Sequence, residues 1–208
     1  MTYEQFKANL VTVYNQQAEE RDKGEIADWK AEERANFLSL LQDENKQSLL
    51  EIGAGPGRDS LFFKEQGLQV TCIDLSPKMI ELCQQKGIDA HVMDMVYLDF
   101  EQDSFDAVFA LNSFLHLTKD EFPLSLENVR NVLRSAGLFY LGIYGGFEFA
   151  DIWEKDFYRP KRFFSFHSDE HLEGILTDTF EILYFKRIEF EKEELSFQST
   201  ILRKPAGE

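Results

Sequence analysis

Cysteine, proline and positive charge are all scarce in this chain of 208 residues: two Cys, five Pro, and 22 Lys and Arg against 38 Asp and Glu. Two cysteines cannot build a disulfide framework, and lying far from any histidine they cannot make a thiolate zinc tetrad, so no metal site is expected. Cys72 falls inside an apolar run and Cys83 on a helical pattern, and both read as reduced core residues. A formal net charge of −16 leaves no broad basic footprint for a nucleic acid. The short basic run "RPKR", residues 159–162, reads as a solvated loop. No apolar stretch approaches the length of a membrane span, and the polar first ten residues do not resemble a signal peptide, so a cytoplasmic location away from any membrane is expected. Internal repeats, low-complexity tracts and linkers are not seen either. The expectation is one domain over residues 1–208, large enough to bury a full core.

What is present is a periodic alternation. Phe6, Leu10, Val13 and Tyr14 stand at helical spacing within residues 2–15, Gly24 interrupts, and a second amphipathic pattern runs through Trp29, Phe37, Leu38 and Leu41. From residue 48 the period shortens. "SLLEI" and "LQVTCID" read as strands, separated by the helical stretch "RDSLFFKEQG". A helix beginning at Pro77 follows, then a strand "DAHVMDM", a strand "FDAVFAL", a helix over residues 121–133 and a strand "GLFYLGIY". This alternation predicts a parallel sheet covered by helices on both faces, with every strand's C-terminal end on one edge. Residues 145–166 read as irregular and strongly aromatic, followed by a short helix from Asp169 and two strands, "FEILYFKRIEF" and "LSFQSTILRK", close enough to pair as a hairpin.

The stretch "LLEIGAGPGRDS" carries the chemistry. Glycine at 53, 55 and 57 removes side chains from a strand-to-helix turn at the functional edge of the sheet, so something must approach that backbone closely. A dinucleotide fingerprint, G-x-G-x-x-G, fails in both registers, because its last glycine would fall on Arg58 or on Ser60. A phosphate-binding Walker loop fails too, since no Gly-Lys-Ser/Thr follows.

With "VTCIDLSPKMIELC", "HVMDM" and "FDAVFALNSFLHL" following in order, "LLEIGAGPGRDSLFF" resembles the class I methyltransferases that use S-adenosylmethionine. The resemblance covers roughly residues 49–143. It implies a Rossmann-like α/β fold with a seven-stranded, mostly parallel sheet in the order 3-2-1-4-5-7-6 and an antiparallel last strand. It divides the chain into a helical cap (1–45), a cofactor-binding core (46–144), and a substrate-side insert with the terminal hairpin (145–208). It also implies residue roles. Gly53, Ala54, Gly55 and Gly57 form the loop under the methionyl part of the cofactor, and Glu51 orients that loop and the amino end. Asp74 holds the ribose hydroxyls, with an alternative as part of the cap of the helix that follows. Leu75 and Met79 pack near the adenosine, Asp94 and Met95 read the adenine edge, and Leu111 and Asn112 flank the methionyl group. Tyr14 closes the site as a lid, or else is a plain core aromatic.

Transfer from a sulfonium needs mainly alignment of acceptor, methyl and sulfur. A base is required only where the acceptor must lose a proton. His116 and Tyr144 are the candidate catalytic groups on the functional edge; His167 and His171 read as surface or capping residues. "NSFL" stands where base-methylating relatives carry Asn/Asp-Pro-Pro-Tyr, which with the acidic charge argues against a nucleic-acid acceptor. The aromatic segment favours a small apolar or aromatic acceptor, although its rings could also serve a dimer interface. A non-catalytic cofactor-binding scaffold is the alternative function.

Overall fold

The computed structural model describes residues 3–191 and 194–207. Residue 2, where the first helical spacing begins, and residues 192 and 193 of the hairpin connection lie outside the described residues. Strand β1 (Ser48–Ile52) lies inside the sheet, parallel to β2 (Gln69–Asp74) on one side and β4 (Phe105–Leu111) on the other. Leu49 and Leu50 are both fully buried but belong to opposite apolar clusters, which is why this strand reads as a continuous apolar run. β3 (Asp89–Val92) extends the sheet beyond β2, and β5 (Leu133–Gly145) pairs in parallel with β4. β9 (Ser196–Arg203) runs antiparallel to both β5 and β8 (Glu181–Ile188). The seven-stranded order is β3-β2-β1-β4-β5-β9-β8, which is the expected order once the two strands of a separate ribbon are set aside in the numbering.

Helices cover both faces. On one, Phe37 and Leu41 from α2 (Asp28–Asp43), Phe63 from α3 (Arg58–Glu65) and Cys83 from α4 (Pro77–Gln85) pack on Phe109 and Tyr140. On the other, Phe122 and Leu126 from α5 (Glu121–Val132) and Leu172 and Leu176 from α6 (Asp169–Thr177) pack on Phe139 and Ile143. Adjacent residues Phe139 and Tyr140 thus face opposite layers, as the pleat requires. Helix α4 starts where the sequence says it should: Pro77 opens it and the Ser76 hydroxyl accepts from Met79 N at 3.2 Å.

Two expectations are corrected. Helix α1 (Tyr3–Lys23) continues well past residue 15, stopping only before Gly24. Residues 145–166 are not irregular throughout: β6 (Phe149–Ile152) and β7 (Phe163–Phe166) form an antiparallel ribbon. Strands of four residues span too few alternations for a period to show, and here nearly every second residue is aromatic whichever face it takes. The ribbon's rings pack on one another, with Phe166 against Phe147, Phe149 and Trp153. Among the described residues, no helix is long and apolar enough to cross a membrane.

Candidate active site

A cleft of about 240 Å³ opens beyond the C-terminal ends of β1, β2 and β4. Its floor is the glycine loop. Gly53 N and Ala54 N both donate to Ile73 O, at 2.8 and 3.0 Å, so the loop hangs from the end of β2. Asp74, the last residue of that strand, completes the tie: its Oδ2 accepts from Gly55 N at 2.9 Å and its Oδ1 from Ser76 N at 2.8 Å. Burial pushes the Asp74 carboxyl above its ordinary pKa despite these two donors. A carboxylate has about four acceptor positions, so Asp74 retains capacity for two further donors from the cleft.

The three glycines answer three different demands. A Cβ on Gly53, which has φ +73°, would stand 2.4 Å from Ser113 Cβ, so this glycine lets the loop pass the end of β4. A Cβ on Gly57 would lie 2.8 Å from Cys83 Sγ. At Gly55, φ +55°, nothing stands within 4 Å of the Cβ position, and the residue lines the cleft. Only Gly55 is bare without crowding from the protein itself. Alanine at 53 or 55 carries the same left-handed strain, so Gly53→Ala is expected to be less stable than Gly55→Ala by the overpacking difference, about 1–3 kcal/mol in urea unfolding. Equal stabilities would mean that the Ser113 contact relaxes freely.

The walls hold unpaired polar groups. Asn112 Oδ1 and Ser113 Oγ are buried in the lining with no hydrogen-bond partner. Asn112 adopts φ 58°, a left-handed conformation that asparagine tolerates, with its N–H on Gly142 O at 2.7 Å. Glu51 is 2% exposed and accepts a short hydrogen bond from Ser60 Oγ. Burial, with Asp59 nearby, pushes its carboxyl well above the usual range, a bias that a cation in the cleft would reverse. Three basic groups, Arg21, Lys30 and Arg58, share the lining, with burial drawing Lys30 below its ordinary value.

Helix α1 is the roof, pinned along its length. Phe6 stacks on Phe163 at 4.3 Å, Lys7 pairs with Asp94 at 2.8 Å, and Asn15 Oδ1 accepts from Ser76 Oγ at 2.7 Å and Lys78 N at 3.2 Å. The central pin is Tyr14. Its hydroxyl meets His116 Nε2 at 2.7 Å and accepts from Arg162 Nη1 at 2.9 Å. His116 Nδ1 lies 2.8 Å from Phe163 O, which can only accept, so the ring proton is on Nδ1 and Tyr14 donates to Nε2. Arg162 is held in turn by Asp156, Nε to Oδ2 at 2.9 Å and Nη2 to Oδ1 at 2.8 Å. Asp156, Arg162, Tyr14 and His116 thus form one hydrogen-bonded chain from the aromatic insert, through the roof, to the turn after β4.

Burial, reinforced by the Arg162 charge, lowers the His116 pKa to about 3. Its folded pKa lies below the unfolded value of about 6.5, so its contribution to stability is complete above that pH and is lost as pH falls through the interval. The imidazole is expected to keep its Nδ1–H tautomer from pH 5 to 8 in long-range ¹H–¹⁵N spectra. A midpoint inside that window would show that the ring is solvated and free to act as a base.

Of the residues singled out from the sequence, Tyr14, Glu51, Gly53, Ala54, Gly55, Asp74, Leu75, Met95, Leu111, Asn112 and His116 line this cleft together. Gly57 and Met79 are packed behind it, and the Asp94 carboxylate is engaged by Lys7 of the roof. Tyr144 stands apart from the lining, with its ring against Trp29 and Phe197 at 6.4 and 5.4 Å. Two readings are corrected at single residues. Arg162 of the "solvated" basic run is 9% exposed and paired, and His167 is 1% exposed rather than at the surface. Arg21, Lys30 and Ser113 were missed. Leu10, Tyr14 and Arg21 stand four and seven residues apart, one helical face, so the periodicity that located Leu10 and Tyr14 also pointed to Arg21.

A mostly parallel sheet with this order and an antiparallel final strand defines a Rossmann-like α/β fold. Residues 49–137 match the family described as a methyltransferase domain. Human glycine N-methyltransferase is 30% identical over 137 residues, covering 55% of this chain and 46% of that protein. The tRNA N(3)-methylcytidine methyltransferase of Schizosaccharomyces pombe is 29% identical over 142 residues, covering 61% and 46%. The chain spans about half the length of the curated relatives it matches. Among solved structures, the 1,6-didemethyltoxoflavin-N1-methyltransferase of Burkholderia thailandensis, with bound 1,6-didemethyltoxoflavin and S-adenosylhomocysteine, superposes with TM-score 0.75 at 21% identity, covering 99% of this chain and 91% of that one. Residues 49–137 thus resemble a methyltransferase domain, and the whole chain shares the fold of that solved methyltransferase.

Proposed function

We propose that the cleft binds S-adenosylmethionine and that the protein transfers its methyl group to a small molecule. One observation supports the reading: Gly55 presents bare, uncrowded backbone to a cleft lined by the acceptors Asp74 and Glu51 and by the partnerless Asn112 Oδ1 and Ser113 Oγ. That donor-hungry set suits a ligand bearing a diol and an ammonium group and lacking phosphate. Asp74 takes the ribose hydroxyls. Glu51 and the Asn112 and Ser113 oxygens take the amino end, and Arg21 and Lys30 take the carboxylate. Met93 and Met95, after β3, supply the apolar wall for the adenine.

The bound cofactor supplies an activated methyl on a sulfonium, so the protein's share of the chemistry is alignment. Tyr14 and His116 hold the roof over the cleft and exclude water. Neutral His116, its Nδ1–H committed to Phe163 O, serves as a positioning residue for Tyr14. The closed roof and the modest cavity favour a small acceptor over a macromolecule. The insert's aromatic rings, packed on one another, add less to the case for an aromatic acceptor than their number in the sequence suggested.

The test is transfer of labelled methyl from S-adenosylmethionine to a panel of aromatic heterocycles, fatty and phenolic acids, glycine and bulk tRNA. Label on small molecules alone supports the reading. Label on tRNA alone removes the small-acceptor assignment, and S-adenosylhomocysteine binding without any transfer points to a cofactor-binding scaffold.

A further inference from the structure

Outside the cleft, Glu148, His167 and His171 converge at a point where the loop after β5, the end of β7 and the start of α6 meet. We propose that these three side chains form a binding site for a divalent transition-metal ion of the Zn²⁺ type. One ligand atom from each lies within 4.8 Å of the other two, the sole such group of histidine, cysteine and carboxylate side chains among the described residues.

The second observation is His167 itself. It is 1% exposed, yet neither ring nitrogen has a hydrogen-bond partner. A neutral imidazole always carries one N–H and one lone pair, and leaving both unsatisfied in a buried place is unfavourable. A metal ion relieves the lone pair directly. The residue is also firmly placed. Its carbonyl accepts from Gly146 N at 2.9 Å and Gln198 Nε2 at 3.0 Å, and its ring lies between Phe122 and His171, with centroids 4.9 and 5.2 Å away.

The other two side chains are held next to it and pair with each other. Glu148 Oε1 accepts from Ser168 N at 2.8 Å, leaving Oε2 to face His171 Nδ1 at 2.9 Å. The Ser168 hydroxyl accepts from His171 N at 3.3 Å, which sets His171 in the first turn of α6. Donor atoms around a tetrahedral Zn²⁺ stand about 3.3 Å apart, so the group closes by small rotamer changes in the exposed Glu148 and His171. Two imidazoles and one carboxylate suit Zn²⁺, whereas Ca²⁺ and Mg²⁺ seek shells of oxygen. The fourth position faces solvent and takes water. The sequence led to the expectation of no metal site because two cysteines cannot make a thiolate tetrad; this group of two imidazoles and a carboxylate uses none and lies outside that argument.

The full chain, free of any affinity tag and stripped with chelator, is titrated with Zn²⁺ by calorimetry and with Co²⁺ by visible absorption. One equivalent of Zn²⁺ should bind, with a Co²⁺ spectrum of tetrahedral type, and Mg²⁺ and Ca²⁺ should give no saturable heat. Glu148→Gln and His171→Ala, both at exposed positions, should each weaken Zn²⁺ binding by at least ~10-fold with unchanged circular dichroism. His91→Ala, which removes an exposed histidine paired with Asp89, should leave it unchanged. Absence of saturable Zn²⁺ binding, or binding that Glu148→Gln and His171→Ala do not alter, overturns the proposal.

Discussion

Asp74→Ala should weaken S-adenosylmethionine binding by roughly two to four orders of magnitude in a calorimetric titration. Two hydroxyl donors on a carboxylate contribute about 1.5–3 kcal/mol each, and each ~1.4 kcal/mol is a factor of ten. The carboxylate also secures Gly55 N and Ser76 N, so part of the loss comes through a loosened loop. Asp74→Asn separates the two contributions. Its side-chain oxygen can still accept one backbone N–H, and its stability in urea should lie closer to wild type than that of Asp74→Ala, while the ribose loses its charged partner in both. Binding by Asp74→Ala within a few-fold of wild type would remove Asp74 from the cofactor site and leave its role as an anchor of the α4 cap.

Asp156→Ala should destabilise the fold by about 3–5 kcal/mol, a large share of the 5–15 kcal/mol typical of a protein of this size. The Asp156 residue is 4% exposed, and its loss strands the Arg162 guanidinium between the rings of Tyr158 and Phe164, at 4.4 and 4.8 Å. Burial alone would raise the Asp156 carboxyl, but the hydrogen bonds from Arg162 outweigh it and hold the group below its ordinary pKa. That part of the stability is therefore present above about pH 4 and is lost as pH falls through the lowered value. The double variant Asp156→Leu with Arg162→Met removes the buried charge along with its partner and should recover most of the loss in thermal unfolding. It should not recover methyl transfer, because Tyr14, the central pin of the roof, has lost the Arg162 donor that fixes it. A loss under about 1 kcal/mol for Asp156→Ala would show a pair that behaves as solvent-exposed.

How much of this was legible in the chain depended on the range of the interaction. The strands β1, β2 and β4 announce themselves because buried parallel strands are apolar along their whole length. The caps of α4 and the glycine loop are written in neighbouring residues. Asp74, at the end of a strand some twenty residues after the loop, could be placed by counting. The ribbon of β6 and β7 could not, since each strand has only four residues and its partner lies across a ten-residue loop.

The Tyr14 chain shows the other limit. Tyr14 and His116 are separated by 102 positions and Tyr14 and Arg162 by 148, so no local pattern joins them. Read alone, Arg162 belonged to a basic run in a loop and His116 looked like a candidate base. The pairing with Asp156 buries the first, and burial beside the Arg162 charge holds the second neutral. Likewise the unpartnered nitrogens of His167 become visible only when α6 and β7 bring His171 and Glu148 beside it.

By itself, then, the sequence determined the alternation of strands and helices and the bare glycine loop, which follow from periodicity and from backbone conformations that particular residues permit, while the strand order and the carboxylate's role came through the resemblance that these motifs carry. Which polar side chains are charged, paired or left wanting a partner was decided by the tertiary structure alone, because desolvation and hydrogen bonding depend on neighbours that the chain supplies from a hundred residues away.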